Sequence, residues 1–526
     1  MTTSPIKTCL SHPHCTLSLE INYLQGSQTV VANKEGKLCL EGDQAIELWQ
    51  KGKDIWNKWV ENNPIADVDF SQVDFAQYRD GDESKVDFSQ FLFPVGNVSF
   101  SLAKFGQGKT YFIGTKFGKG DVYFDCATFG DGEVLFVGAK FGEGDVRFEN
   151  AIFGKTEVNF TNATFENGVV DFNIATFGGK VCFDKANFGK GIVTFNKTNF
   201  GVGGVSFLGG RFGTGNVDFS GVNFGEGDVD FSSAIFDKVN ISFENTKFGK
   251  GNVSFVNTTF QGRNLNFNRA NFGEGNVYFD EASFDSGLVL FTSIISTGMF
   301  SFTDVHGIVN VDFRNATFSG AVSIANVSFC GVLDLVNTKL SHQISLQNLK
   351  IILCRERYWL VFKIATDAGD AERLNRLKEL AEINKQHQQA LRYNADEQRA
   401  RRWHDMSKAA SLLDMTFSAM CNYGQSILRP FVLLLSFMVI FTVPYTLQSD
   451  SLEFSVNYNS EMMFFSAANS LPALTSARKA SENGMKQIFV GQNALAPIYA
   501  IMMLQGIVSA ILLFLIGLGL RNRFRI

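Results

Sequence analysis

At 526 residues the chain is long enough for three or more domains, and its net charge of −5 argues against a nucleic-acid partner. The eight cysteines form no paired framework, and residues 1–15 lack the apolar core of a secretory signal. Long apolar runs occur only near the C-terminus. We therefore expect a largely cytosolic chain whose C-terminal part lies in a membrane.

The N-terminal segment, residues 1–64, combines soft metal ligands with a helical pattern. Residues 44–62 repeat apolar side chains at helical spacing, which predicts a helix that covers the first coil of whatever follows. The ligands have the spacing of a zinc knuckle, and the alternative is that the cysteines are ordinary free thiols. The predicted zinc ligands are Cys9, His12 or His14, Cys15 and Cys39.

Phenylalanines then recur in pairs five residues apart, and the pairs follow one another at a step of 12 residues that slips to 11 in a few places. Phe124/Phe129 and Phe136/Phe141 are two such pairs. A fixed short period is typical of a solenoid. A β-branched or small residue stands two positions before each Phe, so both side chains face inward on an extended segment. The chain contains no proline between Pro94 and Pro430, as continuous strand ladders require.

This pattern, as in Asn216-Val-Asp-Phe219-Ser-Gly-Val-Asn-Phe224-Gly, resembles the bacterial pentapeptide repeat. The resemblance implies a right-handed, four-sided β-helix for residues 65–350. Two Phe pairs in each coil fill its interior better than one, so we expect blocks of five, seven, five and seven residues and about ten coils in a rod of roughly 50 Å. The chain departs from the family in two extra residues, usually part of a Gly-x-Gly turn, after every second block.

The Gly-x-Gly-Asp turns, such as Gly142–Asp145, have two interpretations. Calcium-binding β-rolls also place Gly and Asp at regular turns, but they need Asp at a fixed place in every turn. Lys, Asn, Glu and Val replace it here. We therefore favour glycine that supplies a positive φ at a corner.

Residues 351–426 predict a cytoplasmic helical hairpin. Apolar residues take helical spacing from Glu356 onward, a turn is expected at Ala368-Gly-Asp370, and the second helix is expected over residues 387–406. The hairpin is expected to cap the far end of the solenoid and link it to the bilayer. The basic cluster Arg399, Arg401 and Arg402 is expected to face the inner leaflet.

Residues 427–526 predict a two-span membrane domain. The apolar runs 431–447 and 494–520 are long enough to cross about 30 Å of hydrocarbon. Basic residues precede the first span and follow the second, so both termini are expected in the cytoplasm.

Between the spans lies a third apolar piece, residues 461–476, which is too short to cross. The plan of span, re-entrant segment and span resembles two-span ion channels, and Phe464-Phe-Ser-Ala-Ala-Asn-Ser-Leu471 resembles the start of a potassium-channel pore helix. Pro472-Ala-Leu-Thr-Ser follows where that family has Thr-Val-Gly-Tyr-Gly, so its potassium filter is missing. A helix is expected to end near residues 469–471. The predicted pore-lining residues are Glu461, Asn469, Ser470, Leu471 and Pro472.

The whole chain therefore resembles bacterial pentapeptide-repeat proteins with a channel-like membrane domain. The resemblance implies an inner-membrane channel that is a homo-oligomer, a tetramer by analogy, with the β-helix as a cytoplasmic sensing or docking part. The alternative is a membrane-anchored scaffold whose β-helix binds a protein partner without conduction. We expect no enzyme activity, because no nucleophile elbow, phosphate loop or useful acid pair occurs.

Overall fold

The computed structural model describes residues 31–32, 38–79, 85–262, 264–285, 287–307, 310–359, 362–448, 456–471, 474–489 and 496–524. It divides into two compact units, Met1–Ile352 and Leu353–Ile526. The first unit is a parallel β-solenoid, and the second is mainly helical. The predicted β-solenoid followed by helices is confirmed.

One turn of the solenoid takes about 24 residues, because Val98 pairs with Val122 and Val122 pairs with Val146. Two of the four ladders are nearly continuous, and the second contains 12 strands, so the solenoid has about twelve turns rather than the expected ten. The first comprises Val31–Ala32 (antiparallel to the next), Leu38–Glu41, Asp67–Asp69, Val98–Ser99, Val122–Tyr123, Val146–Arg147, Val170–Asp171, Val193–Thr194, Val217–Asp218, Asn240–Ser242, Asn264–Asn266, Leu288–Leu290 and Asn310–Asp312. The second comprises Val86–Asp87, Thr110–Tyr111, Val134–Leu135, Val158–Asn159, Val181–Cys182, Val205–Ser206, Val229–Asp230, Val253–Ser254, Val277–Tyr278, Phe300–Thr303, Val322–Ala325 and Ile344–Ser345.

The other two ladders alternate between short strands and single bridges, such as Lys116 to Lys140. The strands of the third are Lys104–Gly106, Thr128–Phe129, Ile152–Phe153, Thr176–Phe177, Asn199–Phe200, Ile295–Ser296, Thr317–Phe318 and Lys339–Leu340. The strands of the fourth are Arg211–Phe212, Ile235–Phe236, Thr259–Phe260, Ser283–Phe284 and His306–Gly307. Four ladders per turn agree with the predicted four-sided coil with two Phe pairs.

The phenylalanines form the core of the solenoid. Phe124 stacks on Phe100 at 4.8 Å and on Phe148 at 4.7 Å, with ring planes within 3° of parallel. It also meets Phe136, across the same turn, edge to face at 5.6 Å and 87°. Both geometries suit the aromatic quadrupole, and each fully buried Phe contributes on the order of 2 kcal/mol from burial alone.

The corner glycines differ from turn to turn: Gly225, which opens the turn Gly225–Asp228, has the predicted positive φ, at 68°, whereas the turn Gly142–Asp145 does not use it. Gly142 and Gly144 are absent from the positive-φ residues, and a Cβ on either would lie 1.8 Å or 2.3 Å from the carbonyl oxygen of the glycine one turn earlier. These glycines are therefore required by the close stacking of successive corners, and the positive-φ interpretation is wrong for them. Positive φ also occurs two residues after many of the Phe residues, as at Cys126, Asn150 and Asn162, where φ is 56°, 55° and 56°.

The cap on the first turns consists of two short helices, α1 (Gly42–Gln50) and α2 (Lys53–Asn62), where one helix was expected. Gly52, with φ of 87°, separates them. Trp49 of α1 stacks on Phe88 at 5.4 Å, and Trp56 of α2 stacks on Phe70 at 5.9 Å. Both helices thus lie against Phe rings of the first turns, where the sequence predicted a cap from residues 44–62. A 3-10 helix, Phe75–Tyr78, follows within the first turns.

The second unit begins with an antiparallel hairpin of the strands Arg355–Trp359 and Phe362–Ala365. The helix expected from Glu356 is therefore wrong, because the aromatic and β-branched residues of this stretch favour extended backbone. Helix α3 (Asp370–Ile383) begins at the expected turn, and α4 (His387–Arg401) follows it. The connection of this helical hairpin is residues 384–386. Lys378 of α3 and the buried Glu397 of α4 form an ion pair at 2.6 Å.

The basic cluster at the C-terminal end of α4 forms ion pairs inside this unit. Arg402 is buried, donates to Asp414 at 2.7 Å and 2.9 Å, and also donates to the hydroxyl of Tyr423 at 2.9 Å. Burial and the hydrogen bond to Asp414 raise the pKa of Tyr423 to about 12. Arg399 pairs with Asp396 at 2.7 Å. The expectation that this cluster faces the inner leaflet is wrong for Arg402, because a guanidinium paired with a carboxylate in the interior is unavailable to headgroups.

The remaining helices are α5 (Lys408–Cys421), α6 (Leu428–Ile440), α7 (Thr442–Leu447), α8 (Val456–Asn469), α9 (Thr475–Ile488) and α10 (Ala496–Phe524). The continuous segment Leu428–Leu447, with 20 residues, and α10, with 29, are long and apolar enough to cross a membrane. We call these segments the first and second apolar spans. Helices α5 and α9 were not expected from the sequence.

Candidate functional site

Helix α8 is the first of two helices in the segment between the two apolar spans. It ends at Asn469, within the range of residues 469–471 expected from the sequence. Its Ser466 hydroxyl donates to the carbonyl oxygen of Met438 in α6 at 2.6 Å, which attaches α8 to the first apolar span. Helix α9 then packs along α8, so the segment between the spans is a pair of helices rather than one helix and a loop.

A single amide on the second apolar span holds the C-terminal half of α8. Gln505 is fully buried, and the two N–H groups of its Nε2 are shared among three acceptors: the carbonyl oxygen and the hydroxyl of Ser466, both at 2.8 Å, and the hydroxyl of Ser470 at 2.9 Å. Its Oε1 accepts from the hydroxyl of Tyr445 in α7 at 2.6 Å. One side chain thus joins three helices, and both ends of its amide have partners.

Asn469 extends this network to α9. Its Nδ2 donates to the hydroxyl of Tyr445 at 3.3 Å, and its Oδ1 accepts from the hydroxyl of Ser481. Asn469 is 9% exposed and Ser470 is 1% exposed. Buried amides and hydroxyls without partners are strongly unfavourable in an apolar surrounding, so these mutual hydrogen bonds are what permit the residues here.

An apolar cluster packs around one side of the polar network and keeps water from it. The ring of Tyr445 meets Phe465 at 5.0 Å in an edge-to-face contact, and Phe465 meets Phe489 at 5.7 Å. Inside such a cluster the local dielectric constant is low, so each hydrogen bond is electrostatically stronger than in water. The buried members of the cluster are Phe441, Tyr445, Met462, Phe465, Phe489 and Ile498.

The structure places the predicted pore-lining residues in different surroundings. Asn469 and Ser470 lie inside the network, Leu471 is half-buried beside it, and Glu461 is exposed two turns of α8 earlier. Pro472 lies outside the described residues. The side chains of Asn469 and Ser470 form hydrogen bonds with other residues of the same chain. Their role in lining a pore between several chains stays a prediction.

The predicted zinc site falls mostly outside the described residues. Cys39 is described, and it is buried in the strand Leu38–Glu41. Cys9, His12, His14 and Cys15 are not among the described residues. Within the described part of the chain, no group of three or more His, Cys, Asp or Glu side chains has metal-site geometry. Zinc binding stays a prediction.

The sequence interpretation missed Gln505, Tyr445 and Ser481. A signal for Gln505 was available, since it is an amide within the apolar part of a 29-residue helix whose other amide, Asn522, lies in the last turn, and polar residues at membrane depth are seldom without a role. Tyr445 and Ser481 carried no comparable signal, because each looks ordinary in its own helix. Comparison with protein-family models, curated proteins and solved structures found no match, so this site is interpreted from its geometry alone.

Proposed function

We propose that this chain is a subunit of an oligomeric pore in a bacterial inner membrane, with the β-solenoid as its cytoplasmic sensing or docking part. The observation that carries the proposal is helix α8, a third helix held by buried hydrogen bonds between two apolar spans. Two spans are enough for a simple membrane anchor, which does not need a polar network at membrane depth. The two-span plan with a short helix between the spans is also the plan of pore-forming subunits.

Copies of the chain around a symmetry axis would bring the ends of α8 together. The residues after Asn469 would then line the constriction, with Glu461 nearer its mouth. The sequence lacks the Thr-Val-Gly-Tyr-Gly carbonyl stack, so the pore should discriminate weakly among cations. Arg429 at the start of the first span and Arg521 and Arg523 at the end of the second support cytoplasmic termini by the positive-inside rule.

The second candidate is a membrane-anchored scaffold whose solenoid binds a protein partner. One observation favours it: the single chain already provides hydrogen-bond partners for Asn469 and Ser470. Groups that already have hydrogen-bond partners in the monomer have less capacity to replace the hydration shell of an ion. In this case the network would only fix the packing of the spans.

Cation flux from liposomes that contain the full-length chain separates the two functions. Under the pore proposal the liposomes leak cations, Asn469→Leu reduces the flux, and Asn459→Leu, ten residues earlier in α8, has little effect. Asn469→Leu also removes partners from Tyr445 and Ser481, so a variant that leaves the network intact is needed.

Glu461→Gln is that variant, because Glu461 is exposed. If this carboxylate concentrates cations at the mouth, its loss lowers the flux more at low than at high ionic strength, where charges are screened. Glu482→Gln, at an exposed position on α9, is the matched control. Absence of flux from the unmodified protein in every condition, with correct insertion verified, would favour the scaffold.

A further inference from the structure

Helix α5 leaves an apolar face uncovered. Leu412, Leu413 and Phe417 are 47%, 71% and 37% exposed, and Leu413 and Phe417 are one helical turn apart. The fully buried residues of α5 are Ser411 and Cys421, both of them small. An amphipathic helix normally buries its large apolar side chains against the rest of its protein, and here they are exposed.

The position of α5 is fixed against both apolar spans. Its Ser418 carbonyl oxygen accepts from Arg429 Nη1 at 3.4 Å, at the start of the first span. Just after α5, the Gly424 carbonyl oxygen accepts from Asn522 Nδ2 at 3.1 Å, in the last turn of the second span. The C-terminal end of α5 therefore lies beside the start of the first span and the end of the second span.

Positive charges lie at this junction and at the other end of α5. Arg429, Arg521 and Arg523 at the junction are exposed, and so is Lys408 at the start of α5. Apolar side chains beside exposed basic groups are the combination with which an amphipathic helix binds an anionic lipid surface. A protein partner would need acidic groups and an apolar groove that fits these side chains. Lipid headgroups and acyl chains, by contrast, are already present at the ends of two inserted spans.

We propose that α5 lies in the plane of the membrane interface, with Leu412, Leu413 and Phe417 inserted at the boundary between headgroups and acyl chains. The inference rests on insertion of the two apolar spans, which both candidate functions share. It assigns a lipid contact to a helix that precedes the first span. Because Arg402 of the α4 end is paired with Asp414 of α5, this helix also links the preceding hairpin to the membrane surface.

Site-directed spin labelling of the full-length chain tests the proposal. Reactive cysteines are replaced by serine, and the chain is reconstituted in vesicles of phosphatidylcholine and phosphatidylglycerol. A nitroxide is attached to Leu413→Cys, and its collision rates with oxygen, which concentrates in lipid, and with a water-soluble nickel chelate are compared. Ile383→Cys is the matched control, since Ile383 is an apolar residue of α3 with 58% exposure. Val439→Cys, 53% exposed on the first span, reports insertion.

We expect the oxygen-to-nickel ratio at residue 413 to exceed that at residue 383 several-fold and to approach that at residue 439. A label at Phe417→Cys should give the same result, which guards against a local effect of one substitution. A high ratio at 439 with a low ratio at 413 would place α5 in water and overturn the inference while leaving insertion intact. Shielding of 413 from both reagents with spin–spin broadening would show that a second copy covers the face, which also overturns it. Low ratios at both 413 and 439 would refute insertion itself.

Discussion

Gln505 in the middle of the second apolar span donates two hydrogen bonds, each of 2.8 Å, to the hydroxyl and the carbonyl oxygen of Ser466 in α8. The carbonyl belongs to the backbone of α8, so this contact fixes the helix itself and not only a side chain. The short helix α8 is thereby attached to α10, the longest of the described helices.

Replacement of Gln505 by leucine should loosen this attachment. The Tyr445 hydroxyl loses its acceptor and two serine hydroxyls lose a donor, which should destabilise the helical unit by about 1–2 kcal/mol. Thermal unfolding in detergent, followed by far-ultraviolet circular dichroism, measures the change. Met503→Leu, at a 70% exposed position of the same helix, should be nearly neutral. Equal melting temperatures for both variants would mean that the network is not needed for packing.

Replacement of Phe172 by alanine should open a cavity in the solenoid. Its ring stacks on Phe148 at 4.7 Å and on Phe195 at 4.9 Å and is fully buried, so the loss should be about 3–5 kcal/mol. Because turns of a solenoid couple mainly to their neighbours, the damage should concentrate in the adjacent turns. Hydrogen exchange read by mass spectrometry should show faster exchange in residues 146–196. Ile152→Ala, at a 51% exposed site, is the control, and unchanged protection in the Phe172 variant would contradict the core assignment.

Replacement of Gly144 by alanine tests why the corner glycines are there. The new Cβ would lie 2.3 Å from the carbonyl oxygen of Gly120, and since the obstacle is backbone, the two turns must separate locally. Gly138→Ala has open space around its Cβ but a φ of 64°, so it should lose only about 1 kcal/mol. Hydrogen exchange at residues 118–146 should therefore accelerate more for Gly144→Ala. The reverse order would restore the positive-φ interpretation.

Replacement of Asp125 by asparagine should change how the solenoid responds to pH. Burial, with a smaller effect of the Glu149 charge, raises the pKa of Asp125 to about 6, and its buried Oδ1 has no hydrogen-bond partner among the residues that the structure describes. The folded state thus disfavours the ionised form, and local stability is full below about pH 4 and is lost as the pH rises through 6.

Asp125→Asn should accordingly exceed the unmodified chain in stability at pH 8, by on the order of 2 kcal/mol, with little difference at pH 4. Thermal melting of the solenoid at the two pH values checks this. Glu166→Gln, at an exposed acid, controls for net charge. A stability difference that does not depend on pH would show that ionisation of Asp125 is not its cause.

The sequence by itself determined the features that repeat or that depend on composition alone. Phe residues at a fixed step specify a solenoid. The period puts each ring at the same position in successive turns, so that it stacks on the ring one turn away. The lengths of the two apolar spans follow in the same way from their composition. The end of α8 was predictable from residues adjacent to it.

Tertiary structure alone decided the features that depend on residues far apart in the chain. Tyr445 and Gln505 are 60 residues apart, and the clash that explains Gly144 involves the backbone 24 residues earlier. From the sequence Arg402 is expected to face lipid headgroups, and in the structure it pairs with Asp414, 12 residues later. Apolar spacing from Glu356 onward predicted a helix, and the structure has a hairpin over residues 355–365, whose two strands pair with each other. In each case the deciding energy is a contact between segments, which no local pattern of residues contains.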